Sequence, residues 1–211
     1  MDAPIQDFKY RYVPAPNAAQ APTLLLLHGT GGNESDLLDI GKALAPEANL
    51  LGVRGKVLEN GAPRFFRRLA EGVFDIEDLH NRTAELAGFV TEASKTLGFD
   101  PNRVAAVGYS NGANIGASLL LSNPGVLSSS ILLRPMTPFR PETLPDLANV
   151  PVFLAAGRTD PLVRPEETDR LASLLRDAGA DVTVAFQNTG HGLTRADLDA
   201  AKTWWLHLDR Q

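Results

Sequence analysis

Cysteine is absent from this chain. Its absence excludes disulfides, thiolate metal sites and a cysteine nucleophile, but it does not fix the compartment. A surplus of positive charge is missing as well. Twenty Lys and Arg stand against 25 Asp and Glu, for a net charge of −5. There is thus no electrostatic case for a nucleic-acid partner or an anionic membrane surface. No apolar run approaches the ~20 residues that span a bilayer. The first residues, Met1 to Asp7, lack the basic start and apolar centre of a signal peptide. A cytoplasmic protein without stable membrane association is expected.

Cofactor signatures are missing too. The glycine-rich stretch His28-Gly29-Thr30-Gly31-Gly32-Asn33 fails G-x-G-x-x-G, because the sixth position is Glu34, an acid that would face a pyrophosphate. There is no G-K-[S/T], and no H-E-x-x-H or similar pairing joins the four histidines. Neither a nucleotide nor a metal is expected. Repeats, low-complexity tracts and linkers are also lacking, and 211 residues suit one α/β domain over 1–211.

What is present is an alternation of apolar strand-like runs with helical patterns, the mark of a mostly parallel sheet covered by helices. Strands are predicted at Thr23 to Leu27, Asn49 to Val53, Leu127 to Leu133, Val150 to Ala156 and Asp181 to Phe186. The alternation of apolar and polar residues from Ile5 to Val13 reads as an edge strand. Helices are predicted from Ser35, over Ile76 to Leu97, over Pro165 to Ala178 and over Thr194 to Leu208. Arg54 to Asp75 is less regular. Trp204 and Trp205 read as helix-to-sheet packing.

The most informative feature is Gly108-Tyr109-Ser110-Asn111-Gly112, which fits G-x-S-x-G. The apolar run from Val104 precedes it and a buried-helix pattern follows. Strand, sharp turn with a serine at its apex, then helix: this is the context of a nucleophile elbow. The alternative is a tight turn with an ordinary capping serine.

A serine hydroxyl needs a base, and histidine titrates near neutrality. His191 lies in a glycine-flanked loop after the last strand, where function gathers in open α/β sheets. His28 more naturally shapes its own turn, and His80 and His207 fall on helices. Asp160 follows the strand ending at Ala156 and can orient the imidazole. As part of Asp160-Pro161 it is equally a turn former. An oxyanion needs N–H donors. The backbone of Asn111, after the serine, and of Thr30, in the glycine-rich loop, are the expected pair.

Together these segments resemble α/β-hydrolases of the phospholipase/carboxylesterase family, which includes acyl-protein thioesterases. The resemblance rests on Leu27-His28-Gly29-Thr30-Gly31-Gly32, Gly108-Tyr109-Ser110-Asn111-Gly112-Ala113, Gly157-Arg158-Thr159-Asp160-Pro161 and Gly190-His191-Gly192. It implies an α/β-hydrolase fold without a large cap, no cofactor, and a small-molecule ester, thioester or lysophospholipid substrate. Acyl-protein thioesterases usually carry Gln where this chain has Asn111, and a bulky apolar residue where it has Thr30. The stretch Arg54 to Arg68 is similar to that of bacterial carboxylesterases linked to hydroquinones.

Read physically, Phe65 and Leu193 offer apolar walls for an acyl or aryl group, and Arg54 can meet a carboxylate. The competing reading pairs these arginines with nearby acids such as Glu71 and Asp75. A serine esterase is the expectation. A non-catalytic binding protein on the same fold is the rival, and an exposed apolar edge leaves a homodimer open.

Overall fold

The computed structural model describes residues 5–208. Seven strands form the central sheet: β1 (Tyr10–Val13), β2 (Thr23–Leu27), β3 (Asn49–Val53), β8 (Val104–Tyr109), β9 (Ser129–Leu133), β10 (Pro151–Gly157) and β11 (Asp181–Gln187). Their order is β1-β3-β2-β8-β9-β10-β11. Only β1 runs antiparallel to its neighbour.

The continuous apolar runs explain this arrangement. Leu24 to Leu27 are all buried, as a strand covered on both faces requires. Strand side chains alternate. Leu25 and Leu27 therefore join Val53, Ala106 and Leu154 on one face, while Leu24 and Leu26 join Leu50, Val107 and Phe153 on the other. Each buried leucine contributes roughly 1.5–3 kcal/mol of transfer free energy.

Helices α2 (Ile76–Leu97), α3 (Asn111–Ser122) and α4 (Pro165–Asp177) cover the first face. Helices α1 (Leu38–Leu44) and α5 (Arg195–Leu208) cover the second. Trp204 packs on Phe153 with ring centroids 5.6 Å apart, and Trp205 is buried, so both serve helix-to-sheet packing.

Three local features differ from the sequence expectation. The first strand begins at Tyr10, because Gln6 and Asp7 take positive φ and fold Ile5 back onto Phe8. Helix α1 begins at Leu38, because the Asn33 and Asp36 side chains accept bonds from the Ser35 and Asn33 N–H groups and hold a turn instead. The irregular segment after β3 holds two hairpins, β4 (Val57–Glu59) with β5 (Ala62–Arg64) and β6 (Arg68–Ala70) with β7 (Val73–Phe74). Neither pairs with the main sheet.

Candidate active site

Ser110 sits between β8 and α3 with φ 53° and ψ −113°, a strained backbone for a residue with a Cβ. Its neighbours must be small. A Cβ on Gly112 would lie 2.0 Å from the Leu27 carbonyl oxygen, and one on Gly108 2.5 Å from that of Gly112. The Ser110 N–H is tied to Leu133 O at 2.9 Å, and its own carbonyl accepts the first helical bond, from Asn114 N–H at 3.0 Å. The N–H groups of Asn111, Gly112 and Ala113 therefore precede the helical ladder and point from the N-terminus of α3 without an intrahelical acceptor.

Asp160 and His191 arrive from the carboxyl ends of β10 and β11. The two loops touch closely: a Cβ on Gly157 would meet the carbonyl oxygens of Thr189 and Gly190 at 2.4 Å. His191 Nε2 lies 2.9 Å from Ser110 Oγ, and Nδ1 lies 2.8 Å from Asp160 Oδ2. With Nδ1–H donating to the carboxylate, Nε2 is left to accept from the hydroxyl. The other Asp160 oxygen accepts from the Leu162 and Val163 N–H groups at 2.8 and 3.1 Å. The turn role and the histidine contact thus coexist on one carboxylate.

The histidine loop is clamped from below. Tyr109 donates its hydroxyl to His191 O at 3.1 Å. Arg134 donates Nε to Gly190 O at 3.2 Å and Nη2 to Gly192 O at 3.1 Å. Its Nη1 and Nη2 also reach Asp197 Oδ1 and Oδ2 at 2.9 and 2.8 Å, and both side chains are fully buried. Burial by itself would raise the Asp197 carboxyl, but the bonds from Arg134 and Thr194 hold it below its ordinary value. Three consecutive carbonyls, Gly190 to Gly192, are thereby occupied. Sequence reasoning missed Arg134, which follows β9 with a positive φ of 57°.

His28 shapes its own turn. Nδ1 meets Gly29 O at 2.6 Å and Nε2 accepts from Gly55 N–H at 3.0 Å. Burial pushes its pKa below the ordinary histidine value, which suits a neutral ring with one donor and one acceptor. His80 meets Phe139 edge-on at the surface, with ring centroids 4.5 Å apart, and His207 is exposed on α5.

A cavity of about 290 Å³ opens beside Ser110 and His191. Thr30 and Asn111 line it with Arg64, Arg68, Phe74 and Met136. The three residues expected to form its walls lie elsewhere. Arg54 makes a two-point ion pair with Glu34, one contact being 2.9 Å. Burial would raise Glu34, yet Arg54 keeps it below the usual carboxylate range. Phe65 is a core residue, 2% exposed, packed on the His28 ring at 4.8 Å. Leu193 packs into the apolar layer under α1 and α5. The pairing of arginines with acids is real for Arg67 with Asp75 at 3.0 Å and for Arg68 with Glu71.

A mostly parallel sheet, a strained serine at its central strand-to-helix turn and an Asp-supported histidine against that serine define the α/β-hydrolase class. Residues 10–203 match the model of the dienelactone hydrolase family. The chain belongs to that family and is a hydrolase. It is 56% identical over 182 residues to the MhqD protein of Bacillus subtilis (strain 168), covering 86% of this chain and 91% of that one. A carboxylesterase of Bacillus cereus superposes with a TM-score of 0.93 at 49% identity, covering 95% of this chain and 94% of the other. A carboxylesterase of Mesorhizobium loti gives 0.87 at 32% identity, with 94% of each chain covered.

Proposed function

We propose that this protein hydrolyses small carboxylic esters through an acyl-enzyme on Ser110. One observation carries the reading: a single imidazole bonds both the strained serine hydroxyl, at 2.9 Å, and a buried carboxylate, at 2.8 Å. Ser110 Oγ attacks the acyl carbon while His191 Nε2 takes its proton. The resulting imidazolium is oriented and stabilised by Asp160. The oxyanion accepts from the backbone N–H groups of Thr30 and Asn111. His191 then passes the proton to the leaving alcohol, which departs with the bonding pair. Water, deprotonated by the same imidazole, attacks the acyl-enzyme and frees the acid.

The occupancy of neighbouring amides supports Thr30 as donor. Gly31 N–H is committed to Pro63 O at 2.9 Å and Gly32 N–H to Gly29 O at 3.1 Å. The carboxylesterase names of the two solved relatives favour an ester. A cavity at the small end of ligand sites, with arginine and glutamate in its walls, favours short acyl or aryl groups over long lipid chains.

A fluorophosphonate probe tests the chemistry. It should label the wild type at Ser110, located by peptide mass spectrometry, and should label neither Ser110→Ala nor, at a comparable rate, His191→Ala. Nitrophenyl acetate and butyrate should be turned over faster than the palmitate ester. A folded wild type that takes no label would refute the acyl-enzyme and leave ligand binding without turnover as the better account.

A further inference from the structure

The glycine-rich loop after β2 has a structural problem. An oxyanion hole works only if its donors are fixed in advance, and a Gly-Thr-Gly-Gly backbone is among the least constrained a chain can have. Something outside the loop has to hold it.

The β4–β5 hairpin is in place to do so. Four hydrogen bonds join the segment around it to the loop and the elbow. Gly55 N–H donates to His28 Nε2 at 3.0 Å. Gly31 N–H donates to Pro63 O at 2.9 Å. Arg64 Nη1 donates to Thr30 Oγ1 at 2.7 Å, and Phe65 N–H donates to Asn111 Oδ1 at 2.8 Å. The last two bonds come from consecutive residues and end on the side chains of the two residues whose backbones face the oxyanion.

The hairpin is itself anchored. Asn60 and Gly61 both take positive φ at its tip, the conformation that closes a two-residue hairpin. Glu59 pairs with Arg64 at 3.2 Å across it. Arg64 Nε donates to Phe66 O at 3.2 Å, and Phe65 and Phe66 are buried in the core. A rigid path thus runs from the core through Arg64 and Phe65 to both halves of the hole. The Asn111 amide acts here through its oxygen, since its Nδ2 has no hydrogen-bond partner among the described residues.

We propose that the β4–β5 hairpin is the positioning element of the oxyanion hole, acting through the side chains of Thr30 and Asn111. The proposal rests on the acyl-enzyme reading. It gives the two departures from the thioesterase pattern a common purpose: a hydroxyl and a short amide are acceptors that the Arg64–Phe65 segment can grip.

The test compares Thr30→Val, which keeps the shape and removes the acceptor, with Thr30→Ser, which keeps the acceptor. Thr30 is exposed at the cavity, so unfolding by circular dichroism should shift little. On nitrophenyl acetate, Thr30→Val should lower kcat about tenfold, less than the ~10²–10³ that follows outright loss of a donor. KM should stay within about twofold, and the fluorophosphonate labelling rate should fall in step with kcat. Thr30→Ser should recover most of the loss. Combined with Arg64→Met, Thr30→Val should add little further, because the Arg64–Thr30 bond is already lost in Arg64→Met. Unchanged kcat in Thr30→Val overturns the proposal, as does a change confined to KM, which would place the hydroxyl on the substrate. A wild type that takes no label removes the acyl-enzyme itself, an outcome distinct from a labelled wild type matched by Thr30→Val.

Discussion

Replacing Arg134 by methionine should separate stability from catalysis in a way that depends on where its five N–H groups go. In the folded chain its guanidinium is fully buried, meets Asp197 at 2.9 and 2.8 Å, and holds the carbonyls of Gly190 and Gly192. Breaking one side of a buried ion pair strands the other charge, at about 3–5 kcal/mol. Asp197 keeps the Thr194 N–H and hydroxyl on Oδ2, each at 2.8 Å, so the lower part of that range, about 3 kcal/mol, applies. For a chain of this size each kcal/mol moves Tm by roughly 2–4 °C, and a fall of about 6–12 °C follows. The double variant Arg134→Met with Asp197→Leu removes both charges and should regain part of this, leaving about 1–3 kcal/mol for the abandoned carbonyls. It should not regain kcat, because the turn that carries His191 then keeps only the Tyr109 bond of its clamp. Because Asp197 titrates lower in the folded chain than in the unfolded one, its contribution is complete above about pH 4 and fades as pH falls. The double variant should therefore lose less stability on acidification than the wild type. Urea unfolding at several pH values and steady-state kinetics measure all of this. Arg134→Met within about 1 kcal/mol of wild type, or a double variant as active as wild type, would refute the reasoning.

Other perturbations bear on the same architecture. Gly112→Ala would push a Cβ into the Leu27 and His28 carbonyl oxygens at 2.0 and 2.6 Å; soluble yield and Ser110 labelling should both collapse, and normal labelling would contradict the elbow geometry. Tyr109→Phe removes only the bond to His191 O, so stability should drop by about 0.5–1.5 kcal/mol and kcat by up to about tenfold; a silent variant would show the clamp to be redundant. His28, held neutral with a lowered pKa, makes the unfolded state the better proton acceptor. Its contribution is thus complete above about pH 6.5 and declines as pH falls, and His28→Gln should flatten the difference in unfolding midpoint between pH 5 and 8.

The central strands were readable because a parallel strand covered on both faces must be apolar throughout. Leu24 to Leu27 and Leu50 to Val53 carry that pattern, each behind one buried polar residue, Thr23 or Asn49. Helix α2 was readable from its periodicity and from Gly98 at its end; the Asp75 side chain, which accepts from Asp78 N–H at the start, was not read as a cap. Ser110, Asp160 and His191 could be grouped because each follows a strand, and strand ends of one parallel sheet converge. The cavity walls could not, since they depend on the path of the segment after β3. A signal for part of that path was present in Asn60-Gly61, a strong hairpin dipeptide, which pairs Val57–Glu59 with Ala62–Arg64 but does not say where the hairpin docks. Arg134 had no such signal. Its partner Asp197 is 63 residues away, in the first turn of α5, and neither periodicity nor propensity reports a charge pair between elements so distant in sequence.

The two hairpins outside the main sheet have opposite freedoms. The β4–β5 unit is bonded to the loop, the elbow and the core, so an insertion there would misplace several groups at once. The β6–β7 unit shares no ladder with the seven-stranded sheet, yet its strands and turn supply Arg68, Glu71, Gly72 and Phe74 to the cavity wall. Its length and side chains can change without shifting the register of any strand beneath the serine. Divergence in what such hydrolases accept should therefore accumulate in β6–β7, while drift in β4–β5 is held back by the geometry it supports.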